Sequence, residues 1–387
     1  MFRDHSKALR ICIIAVLVGV AIGAGIQRKS ASYAAPPATQ PPATTSIAAA
    51  PASSPTPLAQ NGESLDRFVR FSRLLNASSA EDAKVAWRAA RKELLAHTNG
   101  TQAVDALRSA LESGIDQRFE SQLHVTSGGE LLAAPTLRIY LLDLLAQVDS
   151  AEAAQYARQL LEQSTSSDEW AVALRNYSWG TDNAALDPFL RRKVRELVTN
   201  EAWIEDPTPG FLEAFDFVPY TKDPELVAPL TQLTHRAPDD SVRRSAFLAL
   251  ARFVAEDTTN GLQAVAAAEA TQQFSPIRAD AMARADFTRP GDVAAVGRYL
   301  QSQMIDPREF ALFADTFPHG GQFAGAGLAT TFRPISMLEL AKRDAQALVV
   351  IEAWMRDLSF EQRHSELSQI YQRLQRLHES AVLGGYV

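Results

Sequence analysis

The 387-residue sequence has one cysteine, Cys12, and it lies inside an apolar run near the N-terminus. The rest of the chain therefore has no disulfide framework, no thiolate nucleophile and no cysteine metal site, and its stability must come from packing. Histidine is also scarce. The seven are His5, His97, His124, His235, His319, His364 and His378, and no two stand at a metal-ligand spacing on an expected helix. There is no His-Glu-x-x-His, no paired Asp-x-Asp and no Gly-x-Ser-x-Gly elbow, so no motif identifies a reaction. Catalytic, cofactor-binding and metal-binding residues are accordingly unassigned, and no cofactor is expected. Basic charge is not in excess either: 38 Lys plus Arg against 45 Asp plus Glu leave a net charge of −7, which excludes a basic nucleic-acid binder as the first reading.

The charge is unevenly distributed. Residues 1–62 carry five bases and one acid, a net of +4, which leaves −11 for the remaining 325. Ile11 to Ile26 (ICIIAVLVGVAIGAGI) form sixteen positions without a charge, preceded by Arg3, Lys7 and Arg10 and followed by Arg28 and Lys29. This predicts a transmembrane signal anchor over 11–29 with residues 1–10 on the cytoplasmic side. The rival reading is a signal peptide cleaved near Ser32-Tyr33-Ala34, giving a soluble periplasmic protein. Arg28 and Lys29 between the apolar run and that site favour the anchor. Ala15, Gly19 and Gly23 recur every four residues and offer a small-residue face for a homodimer. Residues 30–62 hold no charge and seven prolines, at 36, 37, 41, 42, 51, 55 and 57. They read as a disordered, extended linker reaching about 100 Å at about 3.1 Å per residue. It is similar to the Ala/Pro tethers of bacterial inner-membrane proteins with periplasmic domains, so the expected location is that membrane, single-pass, with the body in the periplasm.

Beyond Gly62 the apolar periodicity is helical. An N-terminal helical cap over 63–134 includes a possible hairpin, because Leu123 and Val125 alternate and Gly128-Gly129 supplies a turn. Helices are expected near Thr101–Ser113, Pro135–Val148, Ala151–Gln163 and Asp168–Tyr177. An aliphatic residue followed by arginine then recurs near expected helix starts, at Leu137-Arg138, Leu174-Arg175, Val242-Arg243 and Ile277-Arg278. These arginines are 37, 68 and 35 residues apart, with a divergent copy near Pro209 and another unit opening at Asp306-Pro307-Arg308. Units of 30 to 37 residues, two helices each, are the mark of a stacked solenoid.

At DDSVRRSAFLALARF (Asp239 to Phe253) and SPIRADAMARADF (Ser275 to Phe287) the chain resembles the HEAT-repeat superfamily, over about residues 135–315. The resemblance implies an all-α fold, a right-handed α-solenoid of HEAT-like helix pairs over 135–333 closed by capping helices over 334–387. In it Arg138, Arg175, Arg243, Arg278 and Arg308 are structural, bonding to turn carboxylates or carbonyls. A terminal helix starting at Ser359 turns Phe360, Leu367, Ile370, Tyr371, Leu374 and Leu377 inward and Arg363, Glu366, Gln369, Arg373 and Arg376 outward.

One segment falls outside the repeats, FADTFPHGGQFAGAGLATTFRP from Phe313 to Pro334. Its Gly325-Ala-Gly327 lacks the strand before and the lysine after that a phosphate loop needs. It reads first as a loop between the repeats and the C-terminal helices, with its phenylalanines tucked against the last repeat; the alternative is a mobile, apolar partner-binding loop carrying Phe317, His319, Phe323 and Phe332. The resulting reading is a membrane-anchored periplasmic scaffold or adaptor for a protein or peptide partner, held to the membrane by its N-terminal helix and not binding nucleic acid. Two alternatives stay open. Lipase-specific foldases share the outline of anchor, tether and all-α body, but their Arg-x-x-Phe-Asp-Tyr type motif fails here because Leu212 replaces the arginine ahead of Phe215-Asp216-Phe217. An envelope enzyme with a site unmarked by any motif is the other.

Overall fold

The computed structural model describes residues 85, 87–89, 91–92, 100–114, 116–319, 327–329 and 335–383, all within the unit Thr56–Val387. The expected anchor at 11–29, its face of Ala15, Gly19 and Gly23, and the linker at 30–62 lie outside these residues, as do Phe323 and Phe332. Among the described residues no helix is long and apolar enough to cross a membrane.

The described chain is mostly helical. The first part contains α1 (Gly100–Glu112), the strands β1 (His124–Val125) and β2 (Leu131–Ala133), α2 (Leu137–Val148), α3 (Ser150–Gln163) and α4 (Ser167–Gly180). The middle contains α5 (Pro188–Val198), α6 (Glu201–Glu205), α7 (Pro209–Ala214), α8 (Phe217–Thr221), α9 (Val227–Arg236), α10 (Asp240–Glu256) and α11 (Thr258–Ala268). The last part contains α12 (Pro276–Ala283), α13 (Pro290–Gln301), α14 (Pro307–Thr316), α15 (Met337–Arg356) and α16 (His364–Leu383).

Local chemistry sets where many of these helices begin. Asp187, Thr208, Ser275 and Asp306 each accept a backbone N–H of the first turn, and each is followed by proline at the first helical position. The cap satisfies an orphan donor at about 1 kcal/mol, and proline has no N–H to lose there. Ser336 and Glu339 form a reciprocal capping box at the start of α15.

The hairpin forms where alternation and the glycine pair place it. β1 pairs antiparallel with β2, His124 opposite Ala133 and Val125 opposite Leu131. Leu123 and Val125 point into the core while His124 is exposed. Trp87 closes over it, fully buried, with Nε1 donating to the Leu131 carbonyl at 3.2 Å and its ring 4.4 Å from Tyr140.

Substantial helix–helix contacts join elements no more than three apart in order. One apolar cluster nevertheless runs from Trp87 to Leu374, because each helix presents apolar side chains to neighbours before and after it. Buried polar pairs tie these layers: Asp292 is fully buried and accepts from the Asp286 N–H at 2.9 Å and the Thr259 hydroxyl at 2.5 Å.

Three details differ from the sequence expectation. Arg175 lies in the middle of α4, not near its start, because the helix begins at Ser167. At the C-terminus, Leu358–Arg363 forms a 3₁₀ helix and α16 begins only at His364. Three residues per turn, in place of 3.6, rotate Arg363 inward. It is buried, its Nε donates to the Leu300 carbonyl at 3.0 Å, and its guanidinium lies 3.6 Å from the Phe310 ring centre. Leu377, expected inward, is 41% exposed.

Candidate functional site

The five recurring arginines meet different surroundings. Arg138 bridges α1, α3 and α4, donating to the Leu111 carbonyl at 2.8 Å and the Tyr156 hydroxyl at 3.2 Å and pairing with Glu169 at 3.0 Å. Arg175 has no solvent exposure and pairs with the equally buried Asp143 at 2.6 Å. Arg278 is gripped by both oxygens of buried Glu309 at 2.8 Å and by the Gln272 carbonyl at 3.0 Å. Arg243 binds Asp240 and the carbonyls of Ala237 and Pro238, whereas Arg308 is mostly exposed, pairs with Asp306 two residues away and lies 5.3 Å from the Phe274 ring centre. The five are not brought together into one site.

Arg175 leads to the first feature of functional interest. Its Nη1 donates to the Gly129 carbonyl at 2.8 Å, and its guanidinium lies 4.6 Å from the Trp179 ring centre. The hairpin turn is thereby held against α4. On its other side the turn meets a short stretch from the far end of the chain, Gly327–Leu328–Ala329. A Cβ on Gly327 would fall 2.1 Å from the Thr126 carbonyl oxygen, and one on Gly129 would fall 2.6 Å from the Gly327 carbonyl oxygen, so both positions require glycine. Leu328 is 1% exposed. The Ala329 N–H donates to Asp216 Oδ2 at 2.7 Å across 113 residues of sequence, and Arg252 of α10 binds the other carboxylate oxygen. Nearby on α7, Glu213 Oε2 is buried with no hydrogen-bond partner among the described residues. Burial first, and the Asp216 charge second, push the Glu213 carboxyl above the usual range.

The second feature is a cavity of about 460 Å³ between the end of α12, the end of α14, α15 and α16. Phe287, Phe317, Leu340 and Ala347 supply apolar wall, and Arg284, His319, Arg343, Asp344 and Arg373 supply polar groups. Of the loop residues singled out from sequence, Phe317 and His319 lie here; Phe317 is buried against Phe287 and Phe313. His319 is tied by its N–H to the Ala283 carbonyl at 2.9 Å and has its ring against Arg284. Burial, then the Arg284 charge, hold its imidazole below the ordinary value. Arg284 is neutralised by Asp280, at 2.8 and 3.0 Å, and Arg343 by Asp286 at 3.1 Å. Arg373 is different. It donates to the Phe317 carbonyl, and among the described residues no carboxylate pairs with it.

Asp344 likewise has no hydrogen-bond partner among the described residues, and burial pushes its carboxyl up to about 6 from the ordinary 3.8, against the opposing pull of Arg343 and His378. The folded state therefore binds this proton more tightly than the unfolded state. Asp344 weakens the fold above pH 6, and the penalty is relieved as pH falls from 6 towards 3.8. Asp344→Asn is expected to raise the unfolding free energy at pH 7 by about 1 kcal/mol, a value discounted because the side chain is partly exposed. Urea denaturation checks this: the gain should vanish near pH 4, and equal gains at both pH values would contradict it.

Arg252 and Asp344 were not singled out by the sequence reading, Asp216 entered it only through the failed foldase motif, and Arg373, expected to face outward, lines the cavity instead. The pair Asp280 and Arg284 was visible as an i, i+4 pattern on one helix. Nothing local marks Arg373 as a pocket residue.

No protein-family model matches the chain, and no curated protein matches it. A designed self-assembling cyclic homooligomer among the solved structures aligns with 83% of this chain and 94% of its own, at 12% identity and a TM-score of 0.14. At that score the likeness carries no argument about fold or assembly.

Proposed function

We propose that this chain is a membrane-anchored scaffold or adaptor whose body, a right-handed α-solenoid of HEAT-like helix pairs held in the periplasm by the N-terminal anchor and linker, binds a protein or peptide partner. The stacked-repeat reading is supported by the local order of helix contacts and by the continuous core. One observation carries the binding reading: the body already holds a short peptide stretch in cis. Gly327–Ala329 is gripped by a buried leucine side chain, by close contact with the hairpin backbone and by one main-chain N–H on a buried carboxylate. These are the elements by which a folded surface takes a peptide, and the unspent Glu213 oxygen lies beside them.

The test uses a labelled peptide with the sequence of Ala324 to Phe332. The full-length Leu328→Asp chain, whose own segment is expelled by a buried charge, should bind it with sub-millimolar affinity by fluorescence polarisation. The wild-type chain, filled by a segment at roughly millimolar effective concentration, should bind at least about tenfold more weakly. Equal or absent binding by both proteins would remove this support.

A further inference from the structure

The cavity between α12, α14, α15 and α16 is separate from the site that holds Gly327–Ala329, and its polar groups are selective in kind. Two of its three arginines are already paired, with Asp280 and Asp286, so the polar groups left over are the Arg373 guanidinium and the Asp344 carboxylate, between which no hydrogen bond or ion pair is formed. Together they suit a ligand that carries both an anionic group and an N–H donor. A phosphate dianion would bring acceptors only and add its second charge to the cavity that already holds the Asp344 carboxylate. The surrounding wall, with Phe287, Phe317, Leu340 and Leu377, is apolar, and about 460 Å³ falls within the roughly 300–1,000 Å³ of small-ligand pockets.

We infer that this pocket takes the C-terminal residue of a peptide, with the terminal carboxylate on Arg373, an apolar side chain in the cavity and a main-chain N–H on Asp344. The inference rests on the peptide-binding reading above and names a second point of contact for the partner. A fatty acid would satisfy Arg373 and the apolar wall, but it has no N–H and would leave Asp344 against a methylene chain. A peptide terminus supplies all three groups at once. Capture of a terminal carboxylate is a recurrent mode of peptide recognition, and a carboxylate–guanidinium contact is stronger than a neutral hydrogen bond.

The experiment uses the full-length chain and fluorescein-labelled Gly-Ser-Ala-Ala-Leu, as the free acid and as the C-terminal amide, with hexadecanoate as competitor. The free acid should bind and the amide should bind at least about tenfold more weakly, as expected for loss of a charge-assisted contact. Arg373→Gln should weaken the free acid by a similar factor and leave the amide unchanged. Because Arg373 also holds the Phe317 carbonyl, a second variant guards against misfolding. Leu377→Trp at the exposed rim should obstruct the cavity and abolish binding with unchanged melting temperature. Equal binding of acid and amide, no binding when the last residue is varied among Leu, Phe, Val and Met, or displacement by hexadecanoate at concentrations where the amide does not compete, would each overturn the inference. If the Ala324 to Phe332 peptide still binds the Leu328→Asp chain in any of those cases, the pocket assignment fails alone. If it does not bind, the peptide-binding reading fails with it.

Discussion

Arg175→Ala is expected to destabilise the body by about 3–5 kcal/mol, the range for breaking a buried ion pair from one side. The variant leaves Asp143, 1% exposed, with its charge uncompensated in the core, and burial already pushes this carboxyl up against the pull of Arg175. It also frees the Gly129 carbonyl and removes the cation beneath Trp179. The corresponding change at Arg308, which is mostly exposed and contacts Asp306 and the ring of Phe274, should leave the unfolding midpoint nearly unmoved. Urea denaturation of both variants measures the contrast. A small change at Arg175, or equal changes at both positions, would show that the Asp143 pair does not tie α2 to α4. Replacing the pair together, as Arg175→Met with Asp143→Leu, should recover part of the loss because no buried charge then remains.

Gly327→Ala is the second large effect, and it is expected as a local loss of structure. The added methyl meets backbone of Thr126 and Ser127, which cannot turn aside as a flexible side chain can. The segment is expected to leave its place. Leu328 then loses its burial, worth about 1.5–3 kcal/mol, and Asp216 loses the Ala329 N–H, worth about 1.5–3 kcal/mol as a bond to a charged group. The regained freedom of three residues, at about 1–2 kcal/mol each for the backbone, offsets most of this, so the change in global stability is small beside the local one. Hydrogen exchange supplies a local readout. The Thr126 and Gly129 amides, bonded to the Glu130 and Thr126 carbonyls, should lose protection with the segment gone. Unchanged exchange there, together with unchanged stability, would mean the glycine is not needed for the contact.

The two variants act on opposite sides of the same turn. Arg175 and Trp179 lie beneath Gly129, and Gly327 lies above it. Their effects should therefore fall short of additive, since loss of either support loosens the turn on which the other acts.

Helix positions were legible at sequence level wherever a local signal existed. Asp306-Pro307 and Thr208-Pro209 start helices as read, Gly128-Gly129 makes a turn, and Phe215 and Phe217 are buried. The repeating arginine was legible as a pattern but not as an environment. Arg175 and Arg308 follow similar spacing, yet one is in the core and the other in solvent. The inward turn of Arg363 was missed because a 3₁₀ turn is set by packing on Leu300 and Phe310, not by a helical period. Of the loop at Phe313 to Pro334, the aromatic and histidine content drew attention, whereas the three residues that the body holds are small or aliphatic and unremarkable in composition.

By itself the sequence determined the helical class, the starts of helices, the hairpin and the absence of cysteine chemistry from the body. Each of these depends on residues within a few positions of one another, where backbone sterics, capping and apolar period act directly. Tertiary structure alone decided which arginines are buried, that Ala329 reaches Asp216 across 113 residues, and that Arg373 and Asp344 share one apolar cavity. Those facts depend on how helices stack, and stacking is settled by the summed packing of many apolar faces, a quantity that no short stretch of sequence carries.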